Sequence, residues 1–201
     1  NASEPPVGDG SALPYVRMLD QAGIVEQDAE RYILTLEQPV YYTKEDTFIV
    51  AYPSNEFKIS CTIDYRHPQL RNQYATFEIN PETFRRDIAP ARTFCFDFEI
   101  ESLKKKGLGR GGSLDNAIVI GLDRIHTTEG GLRFVDEFVR HKILDVIGDL
   151  YLLGCPLNAH IIAVRCGHAH NIAVAQELYK QRDTAIPLPA DSAPGEWLTR
   201  S

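Results

Sequence analysis

The 201-residue chain contains no apolar run approaching the ~20 residues that span a bilayer, and its opening stretch NASEPPVGDGS lacks the charged and apolar regions of a secretory signal. No C-x-x-C spacing joins its four cysteines, Cys61, Cys95, Cys155 and Cys166. Each sits in an apolar or strand-like stretch where a free thiol packs as a small hydrophobe, the usage expected in a reducing cytosol. A basic surplus is missing too. The net charge of -7 and the pI near 5.4 exclude a sequence-independent nucleic-acid binder, which needs a basic face to displace counterions from phosphate. Any anionic ligand must be held locally. There is no internal repeat, heptad run, G-x-S-x-G elbow or H-E-x-x-H, which removes solenoids, coiled coils and the commonest serine-hydrolase and zincin readings. The glycine-rich run 107–113 runs toward a strand without the Lys-Ser/Thr and helix of a phosphate loop, so it reads as a tight turn.

What remains is a globular composition, 43% hydrophobic and 24% charged, enough to bury a sizeable core in one or two domains. The chain opens on Asn1 rather than Met and reads as the middle of a domain, so a fragment is expected. Asn1-Ala2-Ser3 is a chance match to a glycosylation acceptor. Residues 14–22 form a short helical pattern opened by Pro14 and stopped by Gly23, and a polar stretch through Glu30 follows as a linker. Beyond it the hydrophobic period changes to two in RYILTLEQPVYY, DTFIVAY, FKISCTIDY and QYATFEI, which predicts antiparallel strands. In FKISCTIDY, Phe57, Ile59, Cys61 and Ile63 face the core, and Lys58, Ser60, Thr62 and Asp64 face water. Asn80-Pro81 caps a helix that Pro90 ends, and the loop 91–94 follows. Residues 95–120 read as strand, short helix (ESLKKK) and strand (DNAIVIG). A long helix is expected from about Phe134 to Leu153, closed by Gly154, then an apolar strand LNAHIIAVR and an amphipathic helix HNIAVAQELYKQRD. The tail from Thr184, rich in Pro, Ala and Ser, reads as disordered or as an extended arm. The expected fold class is α+β, a two-layer sandwich of a mostly antiparallel sheet on helices with a strand-helix-strand insert.

On the long helix, Val135, Val139, Ile143, Val146 and Leu150 share a broad apolar face, flanked by Leu144, Ile147 and Tyr151. His141, Asp145 and Asp149 stack at four-residue steps on the narrow stripe left over, bordered by Lys142, Phe134 and Phe138. Burying ionisable groups costs several kcal/mol each unless they are paired or metal-bound. Two readings stand: a salt-linked polar seam, or a His and an Asp one turn apart ligating Zn²⁺. Arg165-Cys166-Gly167-His168 lies where a strand meets a helix, so His168 is either an exposed cap or, beside Asp149, an imidazole held protonated as a general acid. His67, His126, His160 and His170 carry no expected chemistry, His170 being placed as a solvated helix-start residue.

The segments GDGSALPYV, ARTF, GGSLDNAIVIG, LRFVDEFVRHKILDVIGDLYLLG and CGHAHN, in this order, resemble UDP-3-O-acyl-N-acetylglucosamine deacetylases through to about residue 182. The resemblance implies a cytoplasmic zinc amidase that removes acetate from the glucosamine nitrogen in lipid A synthesis of Gram-negative-type bacteria. It implies His141 and Asp145 as zinc ligands, Lys142 and Thr93 as oxyanion partners, and His168, oriented by Asp149, as the acid for the leaving amine. Ile100, Leu103, Gly112, Ser113, Ala117 and Val119 would line a passage for the acyl chain, with tight packing as the competing account of the small residues. Phe94, Tyr65 and Arg165 would meet the sugar, the uracil and the diphosphate. Residues 1–28 would end a first deacetylase domain, 29–182 form the second, and 183–201 a flexible tail. The family's Thr-Glu-His motif, with the third zinc ligand and the base, is absent, so the implied partners are the acylated UDP-sugar and an N-terminal domain from the same gene or a separate chain. His170 stands where the family usually has leucine. A module that binds acylated UDP-sugar without hydrolysing it, or an inactive fragment, is the rival reading.

Overall fold

The computed structural model describes residues 6–25, 27–109, 111–128, 130–181 and 186–187. Helix α1 (Leu13–Ala22) is followed by strands β1 (Tyr32–Thr35), β2 (Val40–Lys44), β3 (Thr47–Pro53), β4 (Lys58–Ile63) and β5 (Gln73–Glu78). A short α2 (Pro81–Thr83), continued as a π-helical turn over Phe84–Ile88, leads into β6 (Phe94–Phe96), α3 (Ile100–Lys105), β7 (Ile118–Ile120) and β8 (Ile125–His126). The chain then forms α4 (Glu137–Leu150), β9 (Leu157–Val164), α5 (His168–Tyr179) and the two-residue β10 (Ile186–Pro187).

Strand β9 organises the main sheet. It pairs antiparallel with β3 along one edge (Ile49↔Ala163, Ala51↔Ile161) and parallel with β4 along the other (Ile59↔Ile161, Cys61↔Ala163). Its first two residues pair parallel with β1. The hairpins β2–β3 and β4–β5 and the pair β1–β10 are antiparallel, so the sheet is mixed with antiparallel pairings in the majority. Parallel neighbours need a long crossover; here α4 precedes β9 and covers the sheet. Along β9 burial alternates, with Leu157, Ala159, Ile161 and Ala163 in the core. They meet Val139, Ile143, Val146 and Leu150 of α4 and Val174 and Leu178 of α5 in one cluster. The insert forms a second, three-stranded sheet, β6-β7-β8. All four cysteines are free thiols, Cys61 and Cys166 buried among apolar neighbours.

Several expectations need correction. Helix α4 begins at Glu137, three residues later than its periodicity predicts, because the Glu137 carboxylate accepts the Arg133 N–H at 2.6 Å and holds the preceding residues in a turn. Val135 is therefore outside the helix and 94% exposed, not part of the apolar face. Tyr151 is 65% exposed because the chain tightens to a 3-10 turn over Tyr151–Leu153 before the left-handed Gly154. On β4 the polar face is not uniformly wet: Ser60 is buried, bonded to Thr76 Oγ1 at 2.9 Å and His160 Nε2 at 2.8 Å across the neighbouring strands. Asn80 caps α2 as expected, its side chain accepting from Thr83 N while Thr83 Oγ1 accepts from Asn80 N. Most of the tail lies outside the described residues; Ile186–Pro187 pair with β1.

If β9 is the organising strand, Ile161→Ala should destabilise the chain by about 2–5 kcal/mol, whereas Lys44→Ala on an exposed edge should stay within about 0.5 kcal/mol. Equilibrium denaturant unfolding measures both, and equal small effects would refute the assignment.

Candidate metal and catalytic centre

The sequence-selected stripe of α4 lies at the junction of α4, α5, β6 and the loop before β6. His141, Lys142, Asp145 and Asp149 all have side chains at most 15% exposed. Each is given a partner. His141 Nδ1 lies 3.0 Å from the carbonyl of Ala91; a carbonyl only accepts, so Nδ1 carries the hydrogen and a neutral ring presents the Nε2 lone pair. Burial pushes the His141 imidazole below its ordinary value, and the nearby Asp145 only partly opposes this, so the neutral ring is favoured. Nε2 stands 3.5 Å from Asp145 Oδ1. That is too long for a strong hydrogen bond but close to the roughly 3.4 Å that separates two ligand atoms each ~2.0–2.1 Å from one tetrahedral zinc ion. Neutral imidazole and carboxylate are also the right donor types.

Lys142 Nζ donates to Asp145 Oδ2 at 2.6 Å. Burial opposes its charge, but the Asp145 carboxylate outweighs that and holds the ammonium above its ordinary value. Asp149 accepts from His168 Nδ1 at 2.9 Å and from Asn171 Nδ2 at 2.9 Å. The hydrogen bond to Asp149 raises the His168 pKa against the opposing effect of burial. His168 is thus no bare helix cap; Gly167 holds the cap position and frees the imidazole to turn toward α4. Its side chain remains 67% exposed. Asn171 was not anticipated, yet its position one turn beyond His168 on α5 was the available signal.

Around this cluster stand several of the other expected residues. The rings of Phe94 and His141 are 6.4 Å apart, Phe94 packs edge-on against Phe138 at 5.0 Å, and Tyr65 lies 6.0 Å from Phe94. Thr93 is half-buried; its N–H donates to Gly10 O at 2.8 Å and its carbonyl accepts from Ile118 N at 2.9 Å. Gly10, with φ 82°, sits so close to Asn116 that a Cβ there would come within 2.0 Å of the Asn116 carbonyl oxygen. The GDGS segment therefore props the Thr93 loop against the insert. Arg165 adopts a left-handed φ of 54° at the turn from β9 to α5, and its Nη1 is 3.3 Å from Asp64 and 3.4 Å from Asp46. In the insert, Ile100, Leu103, Ala117 and Val119 are half-buried and Gly112 and Ser113 are exposed on the turn. His170 is not a solvated residue: it is half-buried, its Nδ1 3.5 Å from Thr47 Oγ1 and its ring 6.0 Å from Tyr42, because α5 packs on β2 and β3. Among the described residues, no group of three or more His, Cys, Asp or Glu gathers around one point.

The arrangement offers a buried imidazole with Nε2 unprotonated, an adjacent carboxylate, a buried ammonium and an imidazole hydrogen-bonded to a second carboxylate. For His168 the sign is defined: removing the Asp149 charge should lower its pKa. A ¹H–¹⁵N titration of the imidazoles should place His168 above the ordinary ~6.5 in the parent and lower in Asp149→Asn; an unmoved midpoint would break the link.

The sequence model of the family described as UDP-3-O-acyl N-acetylglycosamine deacetylase matches residues 1–180. A protein of Chlamydia pneumoniae named UDP-3-O-acyl-N-acetylglucosamine deacetylase is 49% identical over 179 residues, 89% of this chain and 63% of the relative. Proteins of the same name from Chlamydia caviae and Chlamydia felis are each 48% identical, covering 87% and 89% of this chain and 62% and 64% of their own lengths. The chain thus spans somewhat under two thirds of these relatives.

Proposed function

Because the chain belongs to the UDP-3-O-acyl N-acetylglycosamine deacetylase family, we propose that it supplies the second domain of a cytoplasmic enzyme that hydrolyses the N-acetyl group of UDP-3-O-(3-hydroxyacyl)-N-acetylglucosamine, releasing acetate. In this reading residues 1–28 end the first domain, 29–182 form the second and 183–201 a tail. The observation that carries it is the paired presentation of His141 Nε2 and Asp145 Oδ1, 3.5 Å apart, with the imidazole fixed from behind by Ala91.

His141 and Asp145 would hold the zinc ion; catalytic zinc typically takes three protein ligands, and in this reading the Thr-Glu-His motif of the family would supply the third together with the general base. A zinc ion held there would supply Lewis-acid chemistry, a water acidified toward ~7 and a polarised acetamide carbonyl. Lys142 and the Thr93 hydroxyl face the negative charge that develops on that oxygen; one such contact is typically worth ~3 kcal/mol of barrier. Lys142 is buried beside Asp145, so its ammonium stands in a site of low dielectric where a charge acts most strongly. His168, with its Nδ1–H fixed by Asp149, delivers the proton from Nε2 to the departing glucosamine nitrogen as the C–N bond breaks. Asn171 fixes the same carboxylate from α5. Phe94 stacks on the sugar, Tyr65 meets the uracil, and Arg165 takes the diphosphate by exchanging Asp46 and Asp64 for phosphate oxygens. Ile100, Leu103, Ala117 and Val119, with the turn at Gly112 and Ser113, border the acyl chain.

In a protein that unites this chain with a segment carrying the Thr-Glu-His motif, zinc-dependent acetate release is expected, with about one zinc per molecule. His141→Ala or Asp145→Ala should abolish both zinc retention and turnover. His168→Ala should keep zinc and lose on the order of 10²–10⁴ in kcat. Binding of the acylated UDP-sugar without zinc uptake or acetate release would instead favour a noncatalytic module.

A further inference from the structure

Among the described residues, one fully satisfied buried charged pair is not among those assigned above. Arg92 and Glu137 have side chains 5% and 0% exposed. Glu137 Oε1 accepts from Arg92 Nε at 2.9 Å and from the Arg92 backbone N–H at 3.0 Å, and Oε2 accepts from Arg92 Nη2 at 3.1 Å. Oε2 also accepts the Arg133 N–H at 2.6 Å. The rest of the guanidinium is consumed by Thr127 Oγ1 at 2.9 Å, Thr128 Oγ1 at 3.1 Å and the Gly131 carbonyl at 2.8 Å.

A buried ion pair seldom repays its desolvation as net stability; an apolar pair of like volume often does as well or better. What it does supply is geometry, because a bidentate fork tolerates little displacement. The placement defines what is fixed. Arg92 lies between Ala91, whose carbonyl takes the His141 Nδ1 hydrogen, and Thr93. Glu137 lies one turn before His141 on α4. Hydrogen bonds from both the side chain and the backbone N–H of Arg92 therefore clamp the Thr93 loop onto the first turn of α4.

We infer that Arg92 and Glu137 are a positioning pair that fixes the tautomer and ring orientation of His141 through the Ala91 carbonyl, and thereby the affinity of the centre for its metal. The pair touches neither metal nor substrate. The metal half of this inference rests on the zinc reading given above; the tautomer half does not. Partners behind a ligating histidine typically account for 10–100-fold in metal affinity.

Glu137→Gln keeps the shape while removing the charge and one acceptor. The test compares parent, Glu137→Gln, Arg92→Lys and Ile161→Ala in the full-length gene product. Long-range ¹H–¹⁵N spectra report the His141 tautomer, and competition titration with Zn²⁺ alone reports affinity. Glu137→Gln and Arg92→Lys should show a mixed His141 tautomer and Zn²⁺ binding weakened 10–100-fold, while Ile161→Ala loses stability but keeps both parent values. Should Glu137→Gln fail to fold, Arg92→Lys carries the comparison. An unchanged tautomer and affinity in either folded variant overturns the inference, as does equal loss in Ile161→Ala, which would reduce the pair to a structural role. If the parent shows the single tautomer but takes up no Zn²⁺, the zinc reading fails while the positioning of His141 stands.

Discussion

Helix α4 carries Glu137, His141, Lys142, Asp145 and Asp149 against the body of the protein, and none of these side chains is more than 15% exposed. Withdrawing such groups from water costs several kcal/mol each unless every one finds a partner. Much of the surrounding structure supplies those partners. The loop before β6 brings Arg92 to Glu137 and the Ala91 carbonyl to His141; α5 brings His168 and Asn171 to Asp149; Lys142 and Asp145 satisfy each other within the helix. Moving any of these segments by an ångström would strand a charge in an apolar surround, so the polar stripe constrains the fold as strongly as the hydrophobic core does.

Strand β9 is the scaffold on which those segments are hung. Its small residues Ala159 and Ala163 are fully buried alternately with Ile161 beneath α4 and α5, a pattern that brings helix side chains close to the sheet. Immediately beyond β9, Arg165 turns the chain left-handed, and its backbone N–H is tied to Thr62 O at 2.9 Å while its carbonyl accepts from Thr47 Oγ1 at 3.0 Å. The turn is thus fixed by both neighbouring strands, β4 and β3, before α5 starts at His168. The same strand that closes the sheet therefore sets where the exposed imidazole stands.

The periodicities of the sequence made the main elements legible, since alternation in β4 and β9 and four-residue steps in α4 follow directly from which face meets the core. The His141–Asp145 and Asp149–His168 associations were likewise legible, the first from spacing on one helix and the second from the place of His168 where a strand meets a helix. What could not be read came from long-range contacts. The start of α4 is set by a Glu137 side chain reaching back to Arg133, which no propensity encodes. Ser60 looked like a solvent-facing strand residue because its partners Thr76 and His160 lie 16 and 100 residues away. His170 looked solvated because the strands it packs on come from the first third of the chain. The Arg92–Glu137 clamp was invisible for the same reason: 45 residues separate its halves.

The two histidines of the centre show how burial and pairing divide one residue type into two chemistries. His141 is 12% exposed, and the cost of burying a charge drives its pKa down, leaving a neutral ring with one nitrogen tied to a carbonyl and the other free to donate electrons. His168 is 67% exposed with its Nδ1 on a carboxylate, so its charged form is favoured and its pKa rises. Groups whose environments push their pKa values in opposite directions are the usual mark of separate roles in catalysis. The buried ring is suited to ligation, because it cannot readily become a cation. The exposed ring is suited to proton exchange, because the carboxylate favours its charged form and water can reach it. Exchanging their surroundings would reverse these pKa shifts without changing either residue.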